Sequence, residues 1–168
     1  VTNGQEPDMI QKLQDEDALP TQLYLSTNAA DYESFIKINK PKYDDSWERW
    51  NRTLDMLKNL DTRTVLRITL IRDYNDQKEM IPAFADMFRK ASPHFIEIKS
   101  YMHIGRSTNR LEHENMLEMH EVKKFSEQIA KQSKIFSVMD ESLVSRISIL
   151  QNNERFIDRY IPTYANTN

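Results

Sequence analysis

The chain has 168 residues, 39% hydrophobic and 29% charged, which suits one domain with a sizeable core and is too polar for a membrane span. Zero cysteines exclude disulfides and thiolate-held metal or iron–sulfur sites within the segment, and fit a reducing compartment such as the cytoplasm. A formal net charge of −3 argues against indiscriminate binding to a polyanion but leaves room for a local basic patch.

Val1-Thr-Asn-Gly4 reads as the last residues of a strand and its exit turn, because Asn-Gly accepts positive φ at little cost. With neither an initiator Met nor a signal-peptide pattern, the segment is expected to be a piece of something longer. Met9, Ile10 and Leu13 recur at helical spacing, and Asp15-Glu-Asp17 ends that helix in a solvated charge run. Pro20-Thr21 breaks it, and Gln22-Leu-Tyr-Leu-Ser26 follows as a short strand closed by Ser26-Thr-Asn28.

Asp31 is placed to cap a helix through Phe35 and Ile38, and Asp44 or Asp45 the next, where Trp47, Trp50, Leu54, Leu57 and Leu60 form an apolar stripe. Thr64-Val-Leu-Arg-Ile-Thr-Leu-Ile71 is the clearest strand. Arg67 falls inside its apolar run and must find a carboxylate, a carbonyl or a ligand anion. A third helix carries Met80, Ile81, Phe84, Met87 and Phe88, with Pro82 tolerable only in its first turn.

Phe95-Ile-Glu-Ile-Lys-Ser-Tyr-Met102 then reads as a buried strand in which Glu97 and Lys99 alternate onto one face. Two charges on a buried face are costly unless they are well hydrogen-bonded or do chemistry, so that face is expected to look into a polar cavity. His103, Gly105, Arg106, Asn109 and Arg110 make a loop suited to anions. Glu112, His113, Glu114 and Glu118 show no apolar pattern and read as an exposed loop, before an amphipathic helix with Met119, Val122, Phe125 and Ile129. Ile135-Phe-Ser-Val138 and Ser145-Arg-Ile-Ser-Ile-Leu150 read as short strands around Asp140-Glu-Ser142, and 151–168 as a surface tail.

The strand–helix alternation predicts a parallel α/β sheet, an open sheet or half barrel, since a closed eightfold barrel does not fit this length. Two glycines, Gly4 and Gly105, are too few for a Gly-rich phosphate loop. His94, His103, His113 and His120 match no zinc spacing and read as surface histidines, and no nucleophile elbow is present. The surviving chemistry is a polar set at the strand ends: Ser26, Asn28, Arg67, Thr69, Asn75, Glu97, Lys99 and Tyr101. Loops at the carboxyl ends of parallel strands are where such folds hold ligands.

Several of these stretches, in this order and spacing, resemble the tRNA 4-demethylwyosine synthases, most closely the archaeal form. They are Val1-Thr-Asn-Gly4, Pro20-Thr-Gln-Leu-Tyr-Leu-Ser26 with Ala29, Lys40-Pro41, Trp47-Glu-Arg49 and Thr64 to Ile71 with Asn75. Phe95 to Tyr101 with Gly105, His120-Glu-Val122 and Asp140-Glu-Ser142 complete them. The resemblance runs nearly to Leu150 and implies the carboxyl-terminal half of a radical S-adenosylmethionine enzyme. Its fold would be the late strands of a partial (β/α)6 barrel over 1–111, a small α+β extension over 112–150 and a tail over 151–168.

Such enzymes use a [4Fe–4S] cluster to cleave S-adenosylmethionine, and this family condenses pyruvate carbons with N1-methylguanosine in tRNA-Phe, a lyase reaction of the wybutosine pathway. By the resemblance, Ser26, Asn28, Arg67 and Asn75, with Thr69 beside them, lie near the cofactor. Glu97, Lys99 and Tyr101 face the pyruvate and the flipped base, and His103, Arg106 and Arg110 meet tRNA phosphates. Asn28 stands where many relatives have Asp. The family's Cys-x-x-x-Cys-x-x-Cys loop, second cysteine set and Gly-Glu-Pro segment precede the position of Val1. The chain alone is therefore expected to hold no metal, to bind neither cluster and to be inactive, the full-length enzyme being a monomer that takes electrons from a separate donor. Two other readings stay open: a non-catalytic tRNA-binding or scaffold module, and an unrelated α/β sugar-phosphate enzyme.

Overall fold

The computed structural model describes residues 1–161, and the part of the expected tail from Pro162 onward lies outside the described residues. Five strands form one mixed sheet in the order β1-β2-β3-β5-β4: β1 Gln22–Ser26, β2 Arg63–Leu70, β3 Phe95–Ser100, β4 Phe136–Ser142 and β5 Ile147–Asn152. β1, β2 and β3 are parallel, and β5 and β4 continue the sheet as an antiparallel hairpin on β3. Five α-helices connect them: α1 Pro7–Asp15, α2 Tyr32–Asn39, α3 Ser46–Met56, α4 Ile81–Ala91 and α5 Met119–Ser133.

Local chemistry sets the helix boundaries. Asp31 caps α2 by accepting from the Ser34 N–H at 2.9 Å. Asp45 stands at the start of α3 but gives its carboxylate to Arg49 instead of the backbone. Pro82 sits in the first turn of α4, where its missing N–H costs nothing. Glu118 and Glu121 close a reciprocal capping box on α5.

Period-two alternation divides the sheet's faces. Leu23, Leu25, Leu66, Ile68, Leu70, Ile96, Ile98 and Leu150 point to one side, and all five helices pack there through Ile10, Phe35, Trp50, Leu54, Phe84, Phe88, Val122, Phe125 and Ile129. Among the described residues the other face is left without a helix. The chain start lies along the outer edge of β1, where the Thr2 N–H donates to the Tyr24 carbonyl and the Ser26 N–H to the Thr2 carbonyl. That is the expected strand remnant.

Three sequence expectations are corrected. Asp140-Glu-Ser142 is strand and not turn: β4 runs through it with a bulge between Val138 and Asp140, and as an edge strand it tolerates polar residues. Gln151 and Asn152 belong to β5 and not to a tail; Asn152 is fully buried, its amide donating to the Pro93 carbonyl and the Ser92 hydroxyl. The stretch after Arg110 is not all exposed loop, because Leu111 and Leu117 are buried on either side of a short 3-10 turn, His113–Asn115.

Candidate functional site

The helix-free face carries the polar strand residues in register rows. Ser26, Arg67 and Glu97 lie side by side with Ile149 across β1, β2, β3 and β5. Thr69, Lys99 and Ile147 form the next row toward the carboxyl ends, and Tyr24, Val65, Phe95 and Gln151 a row on the other side. Five predicted residues, Ser26, Arg67, Thr69, Glu97 and Lys99, therefore share one face.

Arg67 finds its carboxylate in Glu97. Nε donates to Oε1 at 2.8 Å and Nη2 to Oε2 at 3.4 Å, while the guanidinium lies over the Tyr24 ring at 4.4 Å from its centroid. Glu97 is nearly buried, and the fork satisfies both its oxygens. Burial and the Glu97 charge together raise the Tyr24 phenol above its ordinary value, with Arg67 acting the other way. Lys99 makes no ion pair among the described residues.

At the carboxyl ends, Asn28 and Asn75 tie two loops together. The Asn75 amide donates to the Asn28 and Thr69 carbonyls, each at 2.9 Å, and accepts from the Ile71 N–H at 2.7 Å. Asn28 accepts from the Thr69 N–H at 3.0 Å. Asn75 is fully buried, with both amide hydrogens used, so its place is to hold the loops. Beside them a cleft of about 590 Å³ opens between the end of β1 and the α2–α3 connection, walled by Ser26, Asn28, Asn39, Lys40, Tyr43 and Trp50. That volume suits a small-molecule ligand.

Tyr101 does not join the open face. β3 ends at Ser100, and Tyr101 turns into a satellite core with Ile38, Ile71 and Leu111, its hydroxyl 3.1 Å from His103 Nδ1. His103 is therefore tied to Tyr101, while Arg106 stands exposed on a 3-10 turn over Gly105–Asn109 and Arg110 exposed directly after it. Arg72 anchors these loops: it grips both carboxylate oxygens of Glu121 at 2.6 Å and donates to the Glu114 and Met116 carbonyls, each at 3.0 Å. Among the described residues no three His, Asp or Glu side chains gather as a metal site. His94 is no surface histidine, since its Nδ1 accepts from the Thr64 N–H at 3.1 Å.

Sequence reasoning missed Tyr24 and Lys40. Tyr24 had a signal, the period-two step from Ser26. Lys40 stood only within the Lys40-Pro41 resemblance, because its place in the cleft depends on the left-handed backbone (φ 46°) that ends α2.

The profile of the Wyosine base formation family matches residues 90–152. The S-adenosyl-L-methionine-dependent tRNA 4-demethylwyosine synthase of Methanocaldococcus jannaschii is 41% identical over 160 residues, covering 94% of this chain and 47% of the relative. The enzyme of that name from Pyrococcus abyssi is 37% identical over 154 residues, covering 92% and 44%. The solved structure of TYW1 with a lysine–pyruvate adduct bound superposes with a TM-score of 0.80 at 40% identity, over 93% of this chain and 47% of that one. A crystal structure of archaeal TYW1 gives 0.73 at 35% identity, over 93% and 46%. The mixed α/β fold with its five-stranded sheet is thus shared with these structures, and the chain spans less than half the length of the relatives it matches. Over 92–94% of its length, and in fold, the chain is therefore similar to one half of these tRNA 4-demethylwyosine synthases, and residues 90–152 carry the pattern of the Wyosine base formation family.

Proposed function

We propose that this chain is the substrate-facing part of a radical S-adenosylmethionine enzyme that condenses pyruvate carbons with N1-methylguanosine in tRNA-Phe to give 4-demethylwyosine. The supporting observation is a polar, helix-free sheet face in a chain that is similar over nearly its whole length to relatives of that name. Parallel sheets are otherwise covered on both faces, or curl so that one face becomes the interior of a barrel. We read β1 to β3 as the late strands of a partial (β/α)6 barrel over 1–111. The segment from 112 through Asn152 is then an extension that adds β4 and β5 to the same sheet, the expected tail beginning only after β5. The lyase class, the cytoplasm, a separate electron donor and a monomeric full-length state belong to the same reading.

With no cysteine, this chain offers no thiolate to an iron–sulfur cluster, so the clusters are assigned to parts of the protein outside it. The cleft at Ser26, Asn28 and Asn39 fits the polar end of S-adenosylmethionine, with Trp50 and Tyr43 as apolar walls. The bound cofactor supplies the radical that starts the reaction. Asn75 positions Asn28 and the Thr69 backbone beside that cleft. Lys99 is the amine that the register places on the open face, and a relative holds a lysine–pyruvate adduct. We assign Lys99 to the keto acid: its nitrogen bonds to the carbonyl carbon and the carbonyl oxygen leaves as water. Arg67 and Glu97 neutralise each other beside it and keep that face polar without adding net charge.

The test is to read the surrounding coding sequence for a cysteine triplet, and to assay its complete product anaerobically with tRNA-Phe, pyruvate, S-adenosylmethionine and dithionite. Nucleoside mass spectrometry is expected to show 4-demethylwyosine. A complete product without cysteines, without iron and without this nucleoside would leave a non-catalytic tRNA-binding module.

A further inference from the structure

The connections after the three parallel strands meet at one small pocket, and two of them bring cations to it. Lys37 and Lys40 come from the end of α2, Tyr74 from the loop after β2, and Arg110 from the turn after β3; together they line a small pocket floored by Ile71 and Leu111. Its volume is about 60 Å³, near twice one water's share of liquid volume of roughly 30 Å³. No carboxylate lines it, and Lys37, Lys40 and Arg110 enter no ion pair among the described residues.

Helix-end electrostatics account for one of the three. Lys37 lies in the last turn of α2, where the carbonyl ends favour a cation, and its ammonium rests 4.8 Å above the Tyr74 ring. Arg110 arrives from a different loop and has no such reason to face two lysines. Like charges over an apolar floor repel unless an anion joins them. Lys40 also walls the 590 Å³ cleft, so the pocket adjoins the proposed cofactor site.

We infer that Lys37, Lys40 and Arg110 form a seat for one phosphodiester group of an RNA backbone, with Tyr74 holding Lys37 in place. This rests on the tRNA reading above and makes it specific: one phosphate is gripped beside the cleft, which fixes the register of the strand that enters it. A guanidinium with two ammonium groups matches a tetrahedral oxyanion.

The test is the salt dependence of binding to an anticodon stem-loop transcript of tRNA-Phe. It compares the protein with a Lys40→Gln, Arg110→Gln variant and with a Lys12→Gln, Lys58→Gln control toward the opposite end of the strands, each checked for folding by circular dichroism. The pocket variant is expected to lose about 0.7 to 0.9 from the slope of log affinity against log salt, and about five- to eightfold in affinity near 0.1 M salt. The control keeps both. An unchanged slope in the pocket variant, with Arg106→Gln lowering it, overturns the pocket and leaves the tRNA reading standing. No salt-dependent binding by the unaltered protein overturns both. Inorganic phosphate, titrated by NMR, separates the sources: shifts at Lys37 and Arg110 without RNA binding identify a free-anion seat and overturn the RNA assignment.

Discussion

Arg67 and Glu97 are register partners on adjacent parallel strands, and their side chains meet in a two-pronged ion pair on the sheet face that no helix covers. An arginine in an apolar strand and a glutamate in the next are each costly alone. Together they explain one another, and Tyr24 stacked beneath the guanidinium completes the set.

Breaking that pair exposes its cost. Glu97→Gln leaves a guanidinium whose side chain is 30% exposed, so the loss is set at about 1–2 kcal/mol, below that of a fully buried pair. Arg67→Met with Glu97→Leu is expected to be nearly neutral in urea unfolding, because both charges leave together. Glu97→Gln also removes a charge that raises the Tyr24 phenol, so its ultraviolet titration moves toward lower pH. A double variant as unstable as the single one would show that the pair stabilises the sheet outright.

Lys99 tests the chemistry of the same face. Borohydride reduction of the complete enzyme with pyruvate is expected to fix a three-carbon adduct on the peptide carrying Lys99, and Lys99→Met to abolish both adduct and product. Lys99→Met that keeps its cofactor affinity yet forms no product places the loss at the keto acid. An adduct found on another lysine would remove Lys99 from this role.

The strands were legible because period-two alternation survives in β1, β2 and β3, where one face is core. The need of Arg67 for a carboxylate, a carbonyl or a ligand anion followed from burial alone, and the sequence pointed toward Glu97 only as a neighbour of Lys99. Tyr101 was misplaced because alternation was carried one residue past the strand end, where the backbone turns inward. Asp140 to Ser142 was misread because an edge strand with a solvated side has the composition of a turn. Of the basic pocket only Arg110 was legible, as part of a loop suited to anions, since Lys37 and Lys40 meet it only after the chain folds.

Asn75 predicts a large effect without a charge. Asn75→Ala strands the Ile71 N–H and the Asn28 and Thr69 carbonyls, and is expected to cost about 2–4 kcal/mol in urea unfolding. Hydrogen exchange should rise first at residues 28 and 69–75. An unfolding midpoint unchanged by the substitution would mean that water takes over the amide's three bonds.

Gly4 tests the close packing at the edge of β1. Its φ is +74°, and an added Cβ would stand 2.7 Å from Leu25 Cδ1 and 3.1 Å from Trp50 Cδ1. Both neighbours are fully or almost fully buried, so neither can swing away. Gly4→Ala combines left-handed backbone strain with overpacking and is expected to cost about 2–4 kcal/mol. A smaller loss in thermal unfolding would show that the chain start detaches from the edge at little cost.

His94 sets a pH window for stability. Burial, with Arg155 and Arg63 nearby, lowers its pKa from 6.5 to about 4. Its Nδ1 accepts from the Thr64 N–H, which puts the ring proton on Nε2, so protonation would cost the ring its acceptor. Between about 4 and 6.5 the unfolded chain binds a proton that the folded chain refuses, and stability rises with pH across that interval. The contribution is complete above 6.5 and lost as pH falls through about 4. His94→Gln keeps an acceptor for Thr64 but does not titrate, so its urea midpoint should lose this part of the slope while matching the original near neutral pH. Equal slopes in the two proteins would mean that His94 takes up its proton in the folded state at its ordinary pKa.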